Sequence, residues 1–230
     1  MPAEHFVDAP FSSTPRGADM KSNLMLCGAA CVVLLTTGSV TAAPVYLNES
    51  NITVAVGAGT SPGTFRNTFD NGNTITKVID APSADAEEFH NQTTHIWFTA
   101  DEVGGGLELI FDFGQSYDIS LLHFWNYTGE SYDVDNIDFT FFNAAAQQVG
   151  ALSIQPDLGT SPGIRAQDIP LAAPLNVRTV TAFLSGSNRE VDFQNIGFTA
   201  EVSTVPLPLP AALFGTAVAA LAGAVRRRKD

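Results

Sequence analysis

Residues 45–202 read as short apolar runs separated by Gly, Asn, Asp and Pro, with no sustained 3.6-residue period. At 107–113, Leu107, Leu109, Phe111 and Phe113 fall on one face of an extended segment, with Glu108 and Asp112 on the other. Such alternation marks a half-buried strand, because successive side chains point to opposite faces. It returns at 119–127, where Leu122 and Phe124 alternate with His123 and Trp125. It returns again at 137–142, where Ile137, Phe139 and Phe141 make one stripe, and 177–184 and 191–200 complete the later strands. About six to eight short strands joined by turns predict an all-β fold, an antiparallel β-sandwich. Trp97 is assigned to its core. Trp125 is assigned either to packing on the outer face of its sheet or to a ligand.

Outside this region the pattern changes. Met20-Lys21 opens a stretch with one positive charge, followed by the apolar run 24–35 and then Thr, Gly, Ser, Val and Ala residues. That is the layout of a secretory signal, and the run is too short to span a bilayer comfortably. Val40 and Ala42 suit the small-residue positions of a signal-peptidase site, which places cleavage between Ala42 and Ala43. Residues 1–19 are polar and contain Pro, so translation is expected to start at Met20. At the other end Val205, Pro206, Leu207 and Pro208 lead into the apolar stretch 211–225 and then Arg226, Arg227, Arg228 and Lys229. Residues 207–225 carry no charge and are about long enough for a transmembrane helix. By the positive-inside rule the basic cluster stays cytoplasmic and the preceding domain lies across the membrane. The expected organisation is therefore a signal region at 1–42, a domain at 43–204 and a C-terminal address at 205–230.

Composition narrows the middle segment. Both cysteines, Cys27 and Cys31, lie in the N-terminal apolar run, so the domain has no disulfide. It must rely on its apolar core, for which the chain's 16 Phe provide material. Residues 43–205 hold five Lys and Arg against 20 Asp and Glu, a net charge of −15. Such a surface repels phosphate backbones, which excludes nucleic acid as a partner.

No Gly-x-Ser-x-Gly motif is present, and the domain has no Cys nucleophile. Paired carboxylates occur at Asp133, Asp135 and Asp138, and at Asp118 with Glu130, as an acidic sequence produces without catalysis. The predicted domain is not an enzyme. Trp125, Tyr127, Glu130 and Tyr132 form the cluster best suited to sugar contact. Aromatic rings stack on sugar faces, and carboxylates accept hydrogen bonds from hydroxyls. His90 and His95 flank a loop; zinc there would need a carboxylate such as Glu87 or Glu88, and a solvated loop is the preferred reading. Asp70-Asn71-Gly72-Asn73-Thr74 offers oxygen atoms but lacks a later bidentate Glu, so it reads as a turn. Arg178 and Arg189 are expected to pair with nearby acids. Gly-Thr-Ser-Pro-Gly occurs at 59–63 and again at 159–163 and reads as two turns of one kind.

Two resemblances follow from these residues. The tail 205–229 resembles the PEP-CTERM sorting signal in a Val-Pro-Leu-Pro variant. The resemblance implies docking in the inner membrane, recognition by an exosortase-type enzyme after signal peptidase has acted, and release to the cell surface or exterior. Residues 75–200 resemble the discoidin, or coagulation-factor type C, domain, a galactose-binding-like jelly roll. The matching residues are Ile79-Asp80, Trp97, Leu109-Ile110-Phe111-Asp112-Phe113-Gly114, Tyr117-Asp118-Ile119-Ser120 and Phe124-Trp125-Asn126-Tyr127. Later matches are Asn176-Val177-Arg178-Thr179-Val180 and Phe193-Gln194-Asn195-Ile196-Gly197-Phe198. The resemblance implies a structural calcium near Asp80 and Asn195, although Ala81 stands where relatives have Gly and Asn195 where they often have Glu. Together the two imply a surface module that contacts extracellular or biofilm polysaccharide. The alternative is a structural surface or matrix protein that makes protein contacts only.

Overall fold

A computed structural model of the chain describes residues 43–66, 75–91, 95–172 and 176–203. The signal region up to Ala42, the loop at 70–74 and the sorting motif at Val205, Pro206, Leu207 and Pro208 lie outside the described residues. The described chain is all-β, apart from one 3-10 turn at Ile75–Ile79. Its strands are β1 (Val45–Leu47), β2 (Thr53–Val56), β3 (Gly63–Arg66), β4 (Glu87–Glu88), β5 (Ile96–Ala100) and β6 (Gly106–Asn126). There follow β7 (Asn136–Phe142), β8 (Gln148–Ile154), β9 (Ile164–Arg165), β10 (Gln167–Pro170), β11 (Asn176–Ser185) and β12 (Glu190–Val202). Among the described residues every strand pairing is antiparallel. No described helix is long and apolar enough to cross a membrane.

The two runs expected as separate strands, 107–113 and 119–127, are one strand, β6, of 21 residues. Gly114 lies at their junction with φ of 71°, a left-handed conformation open to glycine and strained for most other residues. Opposite it the β11 register jumps from Tyr117 to Asp112, so 113–116 bulge out of the ladder. The first half of β6 pairs with β2 and β11, and the second half pairs mainly with β10 and β12. A single ten-stranded sheet therefore runs β3-β5-β12-β6-β11-β7-β8, with β1 on β12 and β2 and β10 on β6. β4 and β9 form a separate two-stranded sheet.

The core follows from the alternation. Leu107, Leu109, Phe111 and Phe113 are fully buried, as are Ile137, Phe139 and Phe141 from β7. Val177, Val180, Ala182 and Leu184 join them from β11. Phe198 meets Phe111 and Phe113 edge-on, with ring centroids 5.3 and 5.1 Å apart. Each buried Phe contributes roughly 1.5–3 kcal/mol by leaving water, which suits a domain without disulfides.

At 122–126 the alternation fails, because all five residues are buried. Trp125 points away from the main core into a second cluster with Ala81 and Ile164, flanked by Tyr46, Ala86 and Ala166. The segment around β4 and β9 thus covers the outer face of β6.

Candidate functional site

Aromatic and titratable side chains converge beside the β5–β12 pair. Asp192 lies directly across from Trp97 in the ladder, so the two share a face. His95, two residues before Trp97, belongs to that face by the period of 2. His95 N–H donates to Asn91 O (3.2 Å), which holds His95 beside the residue that follows His90. Tyr127 follows the end of β6, and Asp192 N–H donates to Tyr132 O (2.9 Å), tying the 127–135 loop to β12.

The result is a concavity of about 180 Å³ lined by His90, His95, Trp97, Tyr127, Tyr132 and Asp192. Five of these rings form a closed circuit. Centroid separations are 4.7 Å for His90–His95, 6.1 Å for His95–Trp97 and 5.7 Å for Trp97–Tyr132. Tyr132–Tyr127 at 6.3 Å and Tyr127–His90 at 4.7 Å complete it. The rings are tilted or edge-on to one another, the arrangement their quadrupoles favour. Trp97 is fixed from behind, since its Nε1–H donates to Glu190 Oε2 (2.6 Å), which also accepts from Thr99 Oγ1 (2.7 Å). Tyr132 is 44% exposed and forms the outer lip.

Asp192 is the floor. It is buried, and burial is the main cause that pushes its carboxyl up to about 6; His95 opposes the shift and Glu190 adds to it. Burial, then His95, lowers the His90 pKa. The Tyr127 pKa is raised, by burial first and then by Asp192 and Tyr132.

No family model and no curated protein matches this sequence. Among solved structures the chain is similar to the family 32 CBM from C. perfringens NanJ in complex with galactose. That match has a TM-score of 0.45 at 9% identity and covers 68% of this chain and 99% of the other. It is also similar to an F5/8 type C domain from Bacteroides fragilis, with a TM-score of 0.46 at 9% identity over 70% and 98% of the two chains. A third is the GH31 CBM32-2 bound to GalNAc, with a TM-score of 0.43 at 12% identity over 67% and 98%.

Of the two tryptophans, Trp97 departs from its expected place, and Trp125 takes the first of its two assigned places, packing on the outer face. Trp97, assigned to the core, is half-buried and lines the concavity. Trp125 is 0% exposed, and its Nε1–H donates to Ala86 O (3.0 Å). The alternation puts Trp125 on the outer face, but the cover around β4 and β9 seals it there. Tyr127 and Tyr132 both line the concavity, whereas Glu130 stands exposed in the same loop and does not line it. The carboxylate that the rings surround is Asp192, 97 residues beyond His95 in the chain. Neither Glu87 nor Glu88 lines the concavity; Glu87 faces Arg165 at 3.5 Å.

Asp80 and Asn195 are brought together, but as a closed polar cluster. Asn195 Nδ2–H donates to Asp80 Oδ1 (3.2 Å), and Asn195 Oδ1 accepts from Ala81 N–H (3.0 Å). Asp80 Oδ2 accepts from the Lys77 ammonium (2.7 Å), and Ala81 O accepts from Asn48 Nδ2 (3.1 Å). Calcium needs six to eight free oxygen ligands, on the order of. Here each of these oxygens already faces a donor, and an ammonium supplies the positive charge. The donors do not fit a calcium.

Other expectations resolve locally. Arg178 pairs with Asp112 (3.1 Å), while Arg189 donates to the carbonyl of Asp101 (3.0 Å) and not to a carboxylate. The two Gly-Thr-Ser-Pro-Gly copies differ. Gly59 N–H donates to Glu108 Oε1 and Ser61 N–H to Gly106 O, but Gly159 N–H donates to Tyr127 O. A larger concavity of about 420 Å³ lies at 61–62 and 101–105. It has two carboxylates and no aromatic ring, so it offers no stacking surface.

Proposed function

We propose that this chain is an exported, non-enzymatic module of the discoidin-like type that holds extracellular polysaccharide in the aromatic concavity. The observation that carries this reading is the closed circuit of five rings around a buried carboxylate. Aromatic rings supply faces for the C–H surface of a sugar, while Asp192 accepts from its hydroxyls and the tyrosine hydroxyls both donate and accept. At about 180 Å³ the concavity is smaller than the roughly 300–1,000 Å³ of sites for drug-sized ligands, so one sugar ring enters it at a time. Phe89, 58% exposed and next to His90, extends the apolar surface for a neighbouring sugar unit.

The address is read from the two ends. Signal peptidase cleaves between Ala42 and Ala43. The apolar tail then docks in the inner membrane, and an exosortase-type enzyme acts at Val205-Pro206-Leu207-Pro208. The protein ends on the cell surface or outside the cell. Mass spectrometry of the mature protein from the producing cell tests both cuts, and retention of both ends refutes the sorting scheme.

A glycan array and a pull-down with the producing cell's own exopolysaccharide test the binding. Tyr132→Ala and Trp97→Ala should each weaken capture about tenfold or more, as loss of a central aromatic contact does. Self-association with no glycan capture would select the matrix-protein alternative.

A further inference from the structure

The floor of the concavity holds a buried imidazole, His95, that the glycan reading leaves without a role. His95 is 1% exposed, and neither Nδ1 nor Nε2 has a hydrogen-bond partner; Asp192 Oδ1 has none either. Yet His95 Nδ1 and Asp192 Oδ1 approach to 3.1 Å. The pair is close without the alignment of a hydrogen bond. A buried imidazole whose Nε2 has no partner, and whose Nδ1 has only this poorly aligned approach to a carboxylate, is costly, so the arrangement calls for a group that would satisfy it.

A divalent metal supplies that group. Ligand atoms of His90, His95 and Asp192 all lie within 4.8 Å of one another. In a tetrahedral zinc sphere with bonds of about 2.0–2.2 Å, neighbouring donors stand roughly 3.3–3.6 Å apart. The 3.1 Å approach of His95 to Asp192 needs only a small opening to reach that separation. The donor set is two imidazoles and one carboxylate, which suits zinc and its neighbours better than calcium or magnesium. His95 immediately precedes β5, and Asp192 comes from a strand held in register by β5. Two donors are therefore on a rigid wall and one, His90, is at its rim.

We propose that His90, His95 and Asp192 bind one zinc ion at the floor of the aromatic concavity. Three protein ligands leave a fourth position, open toward the ring circuit, for water or an incoming oxygen ligand. The site stands on its own geometry and does not depend on the glycan reading.

The test uses the full chain with His5→Ala, Cys27→Ser and Cys31→Ser, which removes the other imidazole and the thiols of the N-terminal region. Calorimetric titration with Zn²⁺ alone should give one ion per chain, and Co²⁺ should give the visible absorption of a tetrahedral N/O site. Even outer-shell changes weaken metal sites about 10–100-fold, so loss of a direct ligand should do at least as much. His95→Ala and Asp192→Asn should therefore weaken Zn²⁺ by ~100-fold or more. His90→Ala, at the rim, should do so with the fold intact by circular dichroism. No saturable uptake by the parent chain, or uptake unchanged in His90→Ala, overturns the proposal. Polysaccharide capture repeated with EDTA and with added Zn²⁺ separates the two readings. Zinc uptake without capture in either condition removes the glycan reading alone; capture without zinc uptake removes the metal alone.

Discussion

Asn126 is the joint on which the concavity hangs, and its removal is open to a worked prediction. The side chain is 2% exposed at the end of β6 and makes four hydrogen bonds. Its Nδ2 donates to Val134 O and Asp157 O, both at 3.0 Å, and its Oδ1 accepts from Tyr127 N–H and Val134 N–H, both at 2.9 Å. One amide therefore closes the 127–134 loop and pins it to the 155–159 segment. Asn126→Ala leaves the buried amide and carbonyl of Val134 without partners, at about 1–3 kcal/mol each. The Tyr127 and Asp157 groups lie nearer water and lose about 0.5–1 kcal/mol each. The expected cost is roughly 3–8 kcal/mol, read as a lower urea midpoint with the two Trp as fluorescent probes. Asn126→Asp keeps the acceptor side but turns a carboxylate toward two carbonyl oxygens, so it should also destabilise. Below denaturing urea, the Ala variant should lose glycan capture, because Tyr127 and Tyr132 both belong to the released loop. A loss of stability under 1 kcal/mol would refute the claim that this amide organises the loop.

Two further predictions concern buried groups beside the concavity. Asp133 is 6% exposed, and burial, then Asp135 and Glu130, pushes its carboxyl up to about 6. A raised carboxylate pKa means that the folded state holds the proton more tightly. The stability this provides is complete below about pH 4 and is lost as pH rises through about 6, at roughly 2–3 kcal/mol. Asp133→Asn should accordingly be more stable than the parent at pH 8 and indistinguishable from it near pH 4; a gap independent of pH would rule out this titration as the cause. Trp125→Phe should cost about 1–3 kcal/mol by orphaning Ala86 O and leaving a void, and should speed proteolytic cutting in 81–91. Loss of glycan capture at unchanged stability would instead return Trp125 to the ligand surface.

How much of this was legible in the sequence depends on which face of a strand is concerned. The inward stripe from Leu107 to Phe113, and Ile137, Phe139 and Phe141, could be read because a half-buried strand writes its burial as alternation. The short strands β1, β3, β4, β9 and β10 have too few residues to show any period, and their existence depends on partners far along the chain. The junction of β6 was hidden because Gly114 reads as a turn between strands, although it serves here as a bend within one. The outer face was the least legible. Whether an outward Trp is covered depends on the route of a segment about 40 residues away, and nothing near Trp125 or Trp97 encodes that route.

The site shows the same limit in its chemistry. Tyr127 and Tyr132 stood out as a local aromatic cluster, and the sequence then supplied the nearest carboxylate, Glu130. The fold supplies Asp192 instead, because β5 and β12 pair with Trp97 opposite Asp192. An exposed Glu in a loop interacts weakly through water, whereas a buried Asp between a His and a Trp interacts across a lower dielectric. Register decides which acid matters. His90 and His95 read as a solvated loop for the same reason: a site whose third donor comes from a distant strand leaves no motif in either segment. One signal was available, namely Asp192, the one ionisable residue between Val191 and Phe198. An ionisable side chain in the middle of a buried strand requires a partner, and asking for that partner leads from Asp192 to His95, two residues before its ladder partner Trp97.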